Sequence, residues 1–363
     1  MKETNKAEGT VSLYRVLTIG GAFIAFLIGS GFATGQEIIQ YFACFGWQGI
    51  AGVATIFALF LYVGVSFISA GYEEQFPNGK DIFRYYCGRY LGAFFEWFSV
   101  VFIYMSFIVM IAGAGAAGRE QFGLPVWAGG VLMGVLAVCT VVLGLNRIVD
   151  VIGLIGPAIV VLAIFLGFMG IQMNFEALAN VDEVLPSLNL MKVSDNWFMA
   201  AFSYVGFCMM WLAAFLASTG KTANSKAEAR WGAVLGAFLF SLAVLVMMLG
   251  LMANLKDIAG SDIPSLVLAN KLSPALGYVF SVVIFAGIYT TAVPLLWTPA
   301  VRVAPDERSA KFRLVTLLLG ALGVAVGLGI SFQRLVNVIY GINGYIGFAL
   351  LFLMIFKSTQ DLK

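Results

Sequence analysis

The 363-residue chain contains no histidine, which excludes imidazole general bases, His-ligated metal sites and histidine proton relays. Charged residues are scarce, since Asp, Glu, Lys and Arg make up 11% of the chain. Its four cysteines predict no disulfide, because Cys44, Cys139 and Cys208 lie in apolar runs and Cys87 lies in a basic stretch. The formal net charge of +2 is too small to indicate a nucleic-acid partner.

Apolar residues dominate instead, at 61% of the chain with a mean hydropathy of +0.95. This composition predicts an all-α integral membrane protein whose main partner is the lipid bilayer. About 20 apolar residues cross a bilayer, and we predict ten such segments. They lie near 13–45, 47–72, 91–117, 125–145, 148–171, 197–217, 230–253, 275–300, 312–332 and 335–356.

The positions of lysine and arginine predict the orientation of these spans. With the N-terminus in the cytoplasm, 16 of the 21 Lys and Arg residues fall on the cytoplasmic side. The five on the other side are Arg119, Lys192, Lys256, Lys271 and Arg334. Both termini are therefore predicted to be cytoplasmic. The longest polar connections, about 172–196 and 254–274, are too short for a soluble domain, so we predict one membrane domain over residues 1–363.

Glycines predict where the first span is interrupted. Residues 29–35 contain three glycines in seven residues at mid-membrane depth, where irregular backbone is tolerated only if protein or a polar cavity surrounds it. The segment from Thr34 to Glu37 then has the S/T-x-x-E pattern of a capping box, which indicates that a new helix begins there. Close helix packing is the simpler explanation of a glycine cluster, but a break followed by a cap exceeds what packing requires.

A second interruption is predicted in the sixth segment, around Ser203, Tyr204, Gly206 and Phe207. Interrupted helices at matching places in two halves are typical of inverted-repeat transporters, whose site lies at the membrane midplane. We assign the halves to about 13–171 and 197–356. Short interfacial helices predicted near 80–86 on the inside and 258–272 on the outside would be inverted counterparts.

Glu37 and Glu96 are the acidic residues that lie clearly within the predicted spans, away from the span-end Asp150, and buried charges in membranes are usually functional. Glu37 follows the first break, where it would cap the new helix, line a binding site, or do both. Glu96 near the start of span three fits an interfacial residue or the partner of an arginine in a cytoplasmic gate. Near the break, free amides suit a substrate carboxylate and free carbonyls suit an ammonium group. Because Glu37 favours a cationic group, we expect an amino acid or related amine.

Together with Phe285-Ala286-Gly287-Ile288-Tyr289-Thr290-Thr291 in span eight, these features resemble the amino acid-polyamine-organocation superfamily. The segment from Gly31 to Glu37, followed by Phe45-Gly46, is similar to YkvI-type bacterial membrane proteins. The resemblance implies a LeuT-like fold of ten helices in a 5+5 inverted repeat with discontinuous helices 1 and 6. It also implies alternating access in a bacterial cytoplasmic membrane.

The resemblance further implies candidate positions for a coupling ion. In sodium-coupled relatives, carbonyls before the first break and a carbonyl with two hydroxyls in span eight hold one sodium ion. The matching positions here are Ala25, Ile28, Ala286, Tyr289, Thr290 and Thr291, with Glu37 nearby. Tyr289 occupies the first hydroxyl position, so the match is incomplete and Thr291 would have to substitute. The span-five lysine of proton-coupled relatives is absent, and Arg147 and Asp150 fit a gate or a surface pair.

We therefore predict a secondary active transporter of a small amino acid or related amine, coupled to Na⁺ or H⁺ and without another cofactor. The candidate substrate site comprises Gly29, Ser30, Gly31, Phe32, Gln36, Glu37, Tyr104, Ser203, Tyr204, Gly206 and Phe207. An enzyme is disfavoured. A ligand-sensing receptor on the same fold is the alternative, and a channel is a weaker one. The substrate, the coupling ion and the oligomeric state stay open.

Overall fold

A computed structural model describes residues 11–144 and 149–360, and for Ser30 and residues 149–157 it describes the backbone only. Arg147 and the side chain of Asp150 lie outside the described residues. Every regular element in the described part of the chain is helical. The α-helices are α1 (Leu13–Leu27), α2 (Ser30–Thr34), α3 (Gln36–Tyr41), α4 (Gln48–Glu74), α5 (Asp81–Phe122), α6 (Val126–Leu143), α7 (Val149–Met173), α8 (Val181–Val184), α9 (Trp197–Lys221), α10 (Lys226–Met252), α11 (Leu255–Ile258), α12 (Pro264–Leu272), α13 (Pro274–Val303), α14 (Ala310–Gly329), α15 (Phe332–Leu335) and α16 (Gly341–Gln360).

Helices occupy all ten predicted spans. Eight helical runs in the described residues are long and apolar enough to cross a membrane: α4, α5, α6, α9, α10, α13, α14 and the run from α15 to α16. A ninth would be the end of α7 together with Phe175–Ser187, which are bent by 84° from each other. The first span is divided into α1, α2 and α3. The all-helical membrane fold is therefore confirmed, while the exact number of crossings stays a prediction.

The predicted break in the first span is present. The backbone leaves the helix at Ile28 (ψ 97°) and Gly29 (ψ −170°), and α2 begins at the next residue. Gly29 donates its amide to the Leu27 carbonyl at 3.1 Å, which deprives the Ala25 carbonyl of its usual helical donor. A second irregularity follows at Gly35, whose φ of +83° places it in the left-handed region that favours glycine.

The predicted capping box is wrong. Thr34 ends α2 and donates its hydroxyl to the Gly31 carbonyl at 3.0 Å. Gly35 is the residue before α3, and only the Gln36 amide approaches the Thr34 hydroxyl, at 3.5 Å. The left-handed turn at Gly35 separates Thr34 from the new helix, so the side chain of Glu37 is directed elsewhere.

The predicted break at Gly206 is also wrong, because α9 is a continuous helix from Trp197 to Lys221. Gly206 instead allows close contact with α16. A Cβ atom at Gly206 would overlap the Gly344 carbonyl, and one at Gly347 would overlap the Gly206 carbonyl. Glycine at this position therefore serves packing between two helices. The irregular segment in this half is a π-helical turn, Val336–Tyr340, in the last span.

The two short connecting helices are present at opposite ends of the protein. Gly88, with a φ of 71°, kinks α5 and separates an initial helical segment, residues 81–87, from the long span that follows. At the other end, α12 begins with Pro264 and packs against α7 and α13. These helices fit two halves of inverted topology, although in the described residues the first span is broken while its predicted counterpart, α9, is continuous. All four cysteines are free, as predicted.

We expect Gly206→Ala to lower the free energy of unfolding by about 1–3 kcal/mol, because the added methyl group forces α9 and α16 apart. Gly21→Ala in α1 is the matched control, since a Cβ there meets nothing within 4 Å. Thermal unfolding of the purified proteins in detergent measures both effects. Equal unfolding temperatures for Gly206→Ala and the native protein would show that this contact is not tight.

Candidate functional site

The carboxyl group of Glu37 lies at the centre of the protein, beside the broken first span. Its side chain is buried, with 3% of the residue exposed. Tyr204 on α9 donates its hydroxyl to Glu37 Oε2 at 3.3 Å. A Cβ atom at Gly31 would overlap the Glu37 carboxyl group, so the glycine in α2 makes room for it. The break at Gly29 and the turn at Gly35 thus position α3 so that its Glu37 carboxyl group lies beside α9.

Glu37 has no basic partner among the described residues. The ion pairs of this part of the chain involve Glu73, Glu96, Glu228, Asp257 and Asp262 instead. An isolated buried carboxylate is strongly unfavourable in a low-dielectric interior. The site therefore requires either a proton or a bound cationic group at Glu37.

A chain of contacting aromatic rings begins at Tyr204, beside this carboxyl group, and extends away from it. The ring of Tyr204 lies 5.1 Å from that of Tyr41 and 5.0 Å from that of Phe207, measured between centroids. Phe207 stacks on Tyr340 at 4.8 Å, and Trp211 lies 5.6 Å from Phe207. The Tyr340 hydroxyl and the Trp211 indole nitrogen are buried without a hydrogen-bond partner. We call Glu37 with these five aromatic residues the central site.

Part of the predicted substrate site is assembled here. Gly31, Glu37, Tyr204 and Phe207 come together as expected. Tyr41, Trp211 and Tyr340 were not in the predicted set. A sequence signal existed for Tyr41 and Trp211, because each follows a predicted site residue by four positions and so shares its helix face.

Other predicted substrate residues lie elsewhere. Tyr104 donates its hydroxyl to the Leu319 carbonyl on α14 at 2.8 Å, so its part in substrate binding stays a prediction. The Phe32 ring packs on Phe240 of α10 at 5.8 Å. Ser203 contacts Gly344, as Gly206 does, on the α16 side of α9, and its side chain also lies beside Tyr41 of the central site. Gly29 lies at the break, where the nearest side chain is Met110, and the side chain of Ser30 lies outside the described residues.

The candidate ion positions divide into two groups. Thr290 and Thr291 both donate to the Gly287 carbonyl, at 3.1 and 2.8 Å, on α13, which packs against α2. Sodium prefers oxygen ligands. These two hydroxyls and the carbonyls of Ala25, Ile28 and Ala286 are ligands of that kind. The Tyr289 hydroxyl instead pairs with Thr140 on α6 at 2.7 Å, so this side chain is committed to a helix contact.

At the predicted outer end, four side-chain amides close the protein above Glu37. Gln36 donates to the Ser261 carbonyl at 2.6 Å, and Gln333 donates to the same carbonyl at 2.7 Å. Gln40 donates to the Gln36 side chain at 3.1 Å and accepts from Asn337 at 3.1 Å. We call Gln36, Gln40, Gln333 and Asn337 the amide network. Its residues Gln36, Gln40 and Gln333 line a cavity of about 130 Å³.

Two loop segments are attached to the amide network. Asn337 donates to the Lys192 carbonyl at 2.9 Å, and the Val193 amide donates to the Gln40 carbonyl at 3.3 Å. The other segment, residues 260–265, is fixed by Gln333 and by an ion pair between Arg119 and Asp262. Burial raises the pKa of this Asp262 carboxyl, while Arg119 opposes the shift. Together these contacts cover the central site from the predicted outside.

The predicted cytoplasmic end is closed by charged groups. Glu228 is fully buried and accepts the backbone amides of Ser12 at 3.3 Å and Asn224 at 3.1 Å, which fixes the start of α1. Arg15 lies 3.7 Å from the same carboxylate. Glu96 pairs with Arg84 and Arg302, which confirms that it is an arginine partner, whereas its role in a gate stays a prediction.

Comparison with known proteins agrees with this architecture. No family model matches the chain. The chain is 21% identical over 339 residues to the uncharacterized membrane protein YkvI of Bacillus subtilis, covering 93% of this chain and 94% of that protein. The expected similarity to YkvI-type membrane proteins is thus confirmed.

Two solved structures show the fold. MhsT in complex with L-phenylalanine superposes with a TM-score of 0.60 at 13% identity, over 95% of this chain and 89% of MhsT. A Na⁺-coupled sialic acid symporter in its substrate-bound outward-open state superposes with a TM-score of 0.61 at 13% identity, over 94% and 78% of the two chains. The LeuT-like fold is therefore confirmed. Since these two proteins bind different substrates, the fold does not identify the substrate here.

The amide network predicts how the central site becomes accessible. Cys208 is buried next to Phe207, so it reports on access to the site. In a variant that retains only Cys208, we expect Gln40→Ala to increase labelling by a membrane-impermeant maleimide, applied from outside, by about five-fold. The estimate takes about 1 kcal/mol for the net loss of hydrogen bonds.

Gln121→Ala is the matched control, because Gln121 bonds Asn270 at the same end without joining the amide network. Equal labelling rates for the two variants would show that the amide network does not control access.

Proposed function

We propose that this protein is a secondary transporter that moves a small amino acid or related amine by alternating access. The observation that carries the proposal is the buried Glu37 carboxyl group, which lies at a break in a membrane helix and has no basic partner in the described part of the chain. The protein would act in the bacterial cytoplasmic membrane with both termini in the cytoplasm. The solved structures that share its fold include a sialic acid symporter and a manganese transporter, which also supports a function other than catalysis.

The chemistry of the central site supports an amine as the group that is bound. A carboxylate and the faces of several aromatic rings both attract an ammonium group, and cation–π attraction is strongest where water is excluded. The orphan Tyr340 hydroxyl and Trp211 N–H could donate to acceptor atoms elsewhere on the ligand. A small amino acid offers both an ammonium group and such acceptors.

Closure at both ends supports alternating access rather than continuous conduction. The amide network covers the central site on one side, while the Glu228 contacts fix α1 on the other. A ligand can exchange only if one set of contacts opens, and opening both sets at once would dissipate the gradient. The broken first span supplies the local backbone freedom that such a change requires.

The coupling ion is proposed to be Na⁺ or H⁺. Sodium would use the carbonyls of Ala25, Ile28 and Ala286 with the hydroxyls of Thr290 and Thr291. A proton would use Glu37, because the chain has no histidine and Glu37 is the buried carboxyl group at the central site. Commitment of Tyr289 to Thr140 leaves the sodium ligands incomplete, and the same feature favours the second candidate, a ligand-sensing receptor without transport.

Reconstitution in liposomes tests the proposal. We expect a library of radiolabelled amino acids and amines to contain at least one compound that accumulates under an imposed sodium or proton gradient. Protein-free liposomes and liposomes with collapsed gradients are the controls. Ligand binding without accumulation would indicate the receptor, and passive flux independent of any gradient would indicate a channel.

We expect Glu37→Gln to weaken binding of the transported amine by about 30-fold or more, because loss of a buried charged partner costs at least about 2 kcal/mol. Tyr204→Phe removes one hydrogen bond and keeps the ring, so it should cost about five-fold. Glu183→Gln, at an exposed position of the short helix α8, is the control. Isothermal titration gives the affinities. If Glu37→Gln changes neither the affinity nor its dependence on pH and cations, Glu37 has only a structural role.

A further inference from the structure

We propose that the predicted cytoplasmic end of α5 binds the headgroup of an anionic phospholipid through Lys80, Arg84 and Arg302. This surface is separate from the central site and does not depend on the transported substrate. Positive charge exceeds negative charge there around one buried carboxylate, Glu96.

Three basic side chains converge on Glu96. Arg84 lies 3.0 Å from Glu96 Oε2, while Lys80 and Arg302 lie 3.2 and 2.9 Å from Oε1. The Glu96 side chain is only 7% exposed, so it contacts these cations from the interior of the protein. The group carries three positive charges and one negative charge.

Other nearby charges do not remove this excess. Asp81, at the start of α5, accepts the backbone amide of Asn78 at 3.1 Å and is offset in charge by the exposed Arg89. A single ion pair does not use the five N–H donors of a guanidinium group. Arg302 Nε is buried and is not itself accessible to a headgroup, whereas 56% of the Arg84 side chain and 35% of the Lys80 side chain are exposed. Donors and positive charge are therefore available to a phosphate group.

An apolar stripe continues from this cluster along the same helix. Tyr90, Phe94, Trp97 and Val101 are spaced by three or four residues and therefore share one face of α5. Each has at least 51% of its surface exposed in the described chain. Arg302 lies over the Trp97 ring at 4.3 Å, so the cluster and the stripe meet. We call these four residues the α5 stripe.

Depth in the membrane also fits a headgroup. The part of α5 beyond the Gly88 kink, residues 89–122, is about 51 Å long at 1.5 Å per residue. The hydrocarbon core is only about 30 Å thick. The first turns of this span therefore lie at the level of the headgroups, where basic residues and tryptophan are favoured. Residue 96 is within these turns, and the α5 stripe leads from there toward the acyl chains.

Charge complementarity selects an anionic phospholipid over the other possible occupants. A second copy of this chain would bring a second excess of positive charge to the same surface. A zwitterionic lipid would bring a cationic group close to Arg84 and Lys80. An anionic headgroup neutralises the cluster, and its acyl chains cover the α5 stripe.

Native mass spectrometry of the full chain, released from nanodiscs of phosphatidylcholine with phosphatidylglycerol, tests the proposal. We expect the native protein to retain phosphatidylglycerol in preference to phosphatidylcholine. Arg84→Gln should retain about five-fold less, since each basic residue near a membrane surface contributes about one such factor. Arg84→Lys should restore retention because it keeps the charge. Arg334→Gln, at the opposite end, is the control for total charge.

Two further measurements complete the test. One distinguishes a lipid headgroup from a soluble phosphate ester, and the other shows whether each variant is folded. Glycerol 3-phosphate should raise the unfolding temperature of the detergent-solubilised protein less than phosphatidylglycerol does, because it lacks acyl chains for the α5 stripe. Equal stabilisation by glycerol 3-phosphate would overturn the lipid proposal. Equal retention by Arg84→Gln and Arg334→Gln, or a dimer that excludes lipid from this face, would also overturn it. Unfolding temperatures show whether each variant is folded when lipid retention is compared.

Discussion

The architecture depends on one constraint: the Glu37 carboxyl group is buried inside a membrane protein, and residues 11–144 and 149–360 as described offer it no basic partner. Glu37 satisfies this constraint only partly within the chain, through one hydrogen bond from Tyr204 at 3.3 Å. The remaining cost of burying it must be met by a proton or by a bound cation. A binding site whose stability is incomplete without its occupant is suited to a protein that must take up and release that occupant.

The surrounding structure accommodates this group by local backbone choices. The break at Gly29 frees backbone carbonyls, Gly31 leaves space for the carboxyl group, and the left-handed turn at Gly35 sets the direction of α3. On the other side, Gly206 lets α9 approach α16, which brings Phe207 against Tyr340. Glycine therefore has two distinct uses here, as an interruption in the first span and as a packing surface in the sixth.

These two uses explain why the sequence predicts one break and not the other. Three glycines within residues 29–35 disrupt a helix through local backbone preference, so the first break is predictable from nearby residues alone. At Gly206, the decisive partner is Gly344, more than a hundred residues away, and a single glycine is equally compatible with a break. The capping box failed because a left-handed residue separates Thr34 from α3. Similarly, the amide network joins Gln40 to Asn337, a pairing that no local pattern indicates.

The two ends of the protein are closed by different chemistry, and this has an energetic consequence. At the predicted outer end, neutral amides bond to carbonyls, and water can replace such bonds at a net cost of about 1 kcal/mol each. At the predicted cytoplasmic end, Glu228 is fully buried and bonded to the amides of Ser12 and Asn224, with Arg15 close by. Opening this end leaves the Glu228 carboxylate either exposed to water or buried without partners. Removing the partners of a buried charge costs about 3–5 kcal/mol. A contact of Glu228 therefore costs more to break than a single amide bond, whereas the outer end opens only when six such bonds and the Arg119–Asp262 ion pair are released. Occupancy of Glu37 acts on the start of α1 through the first span. The broken first span connects these two places directly, because α1 ends at the turn that positions the Glu37 carboxyl group.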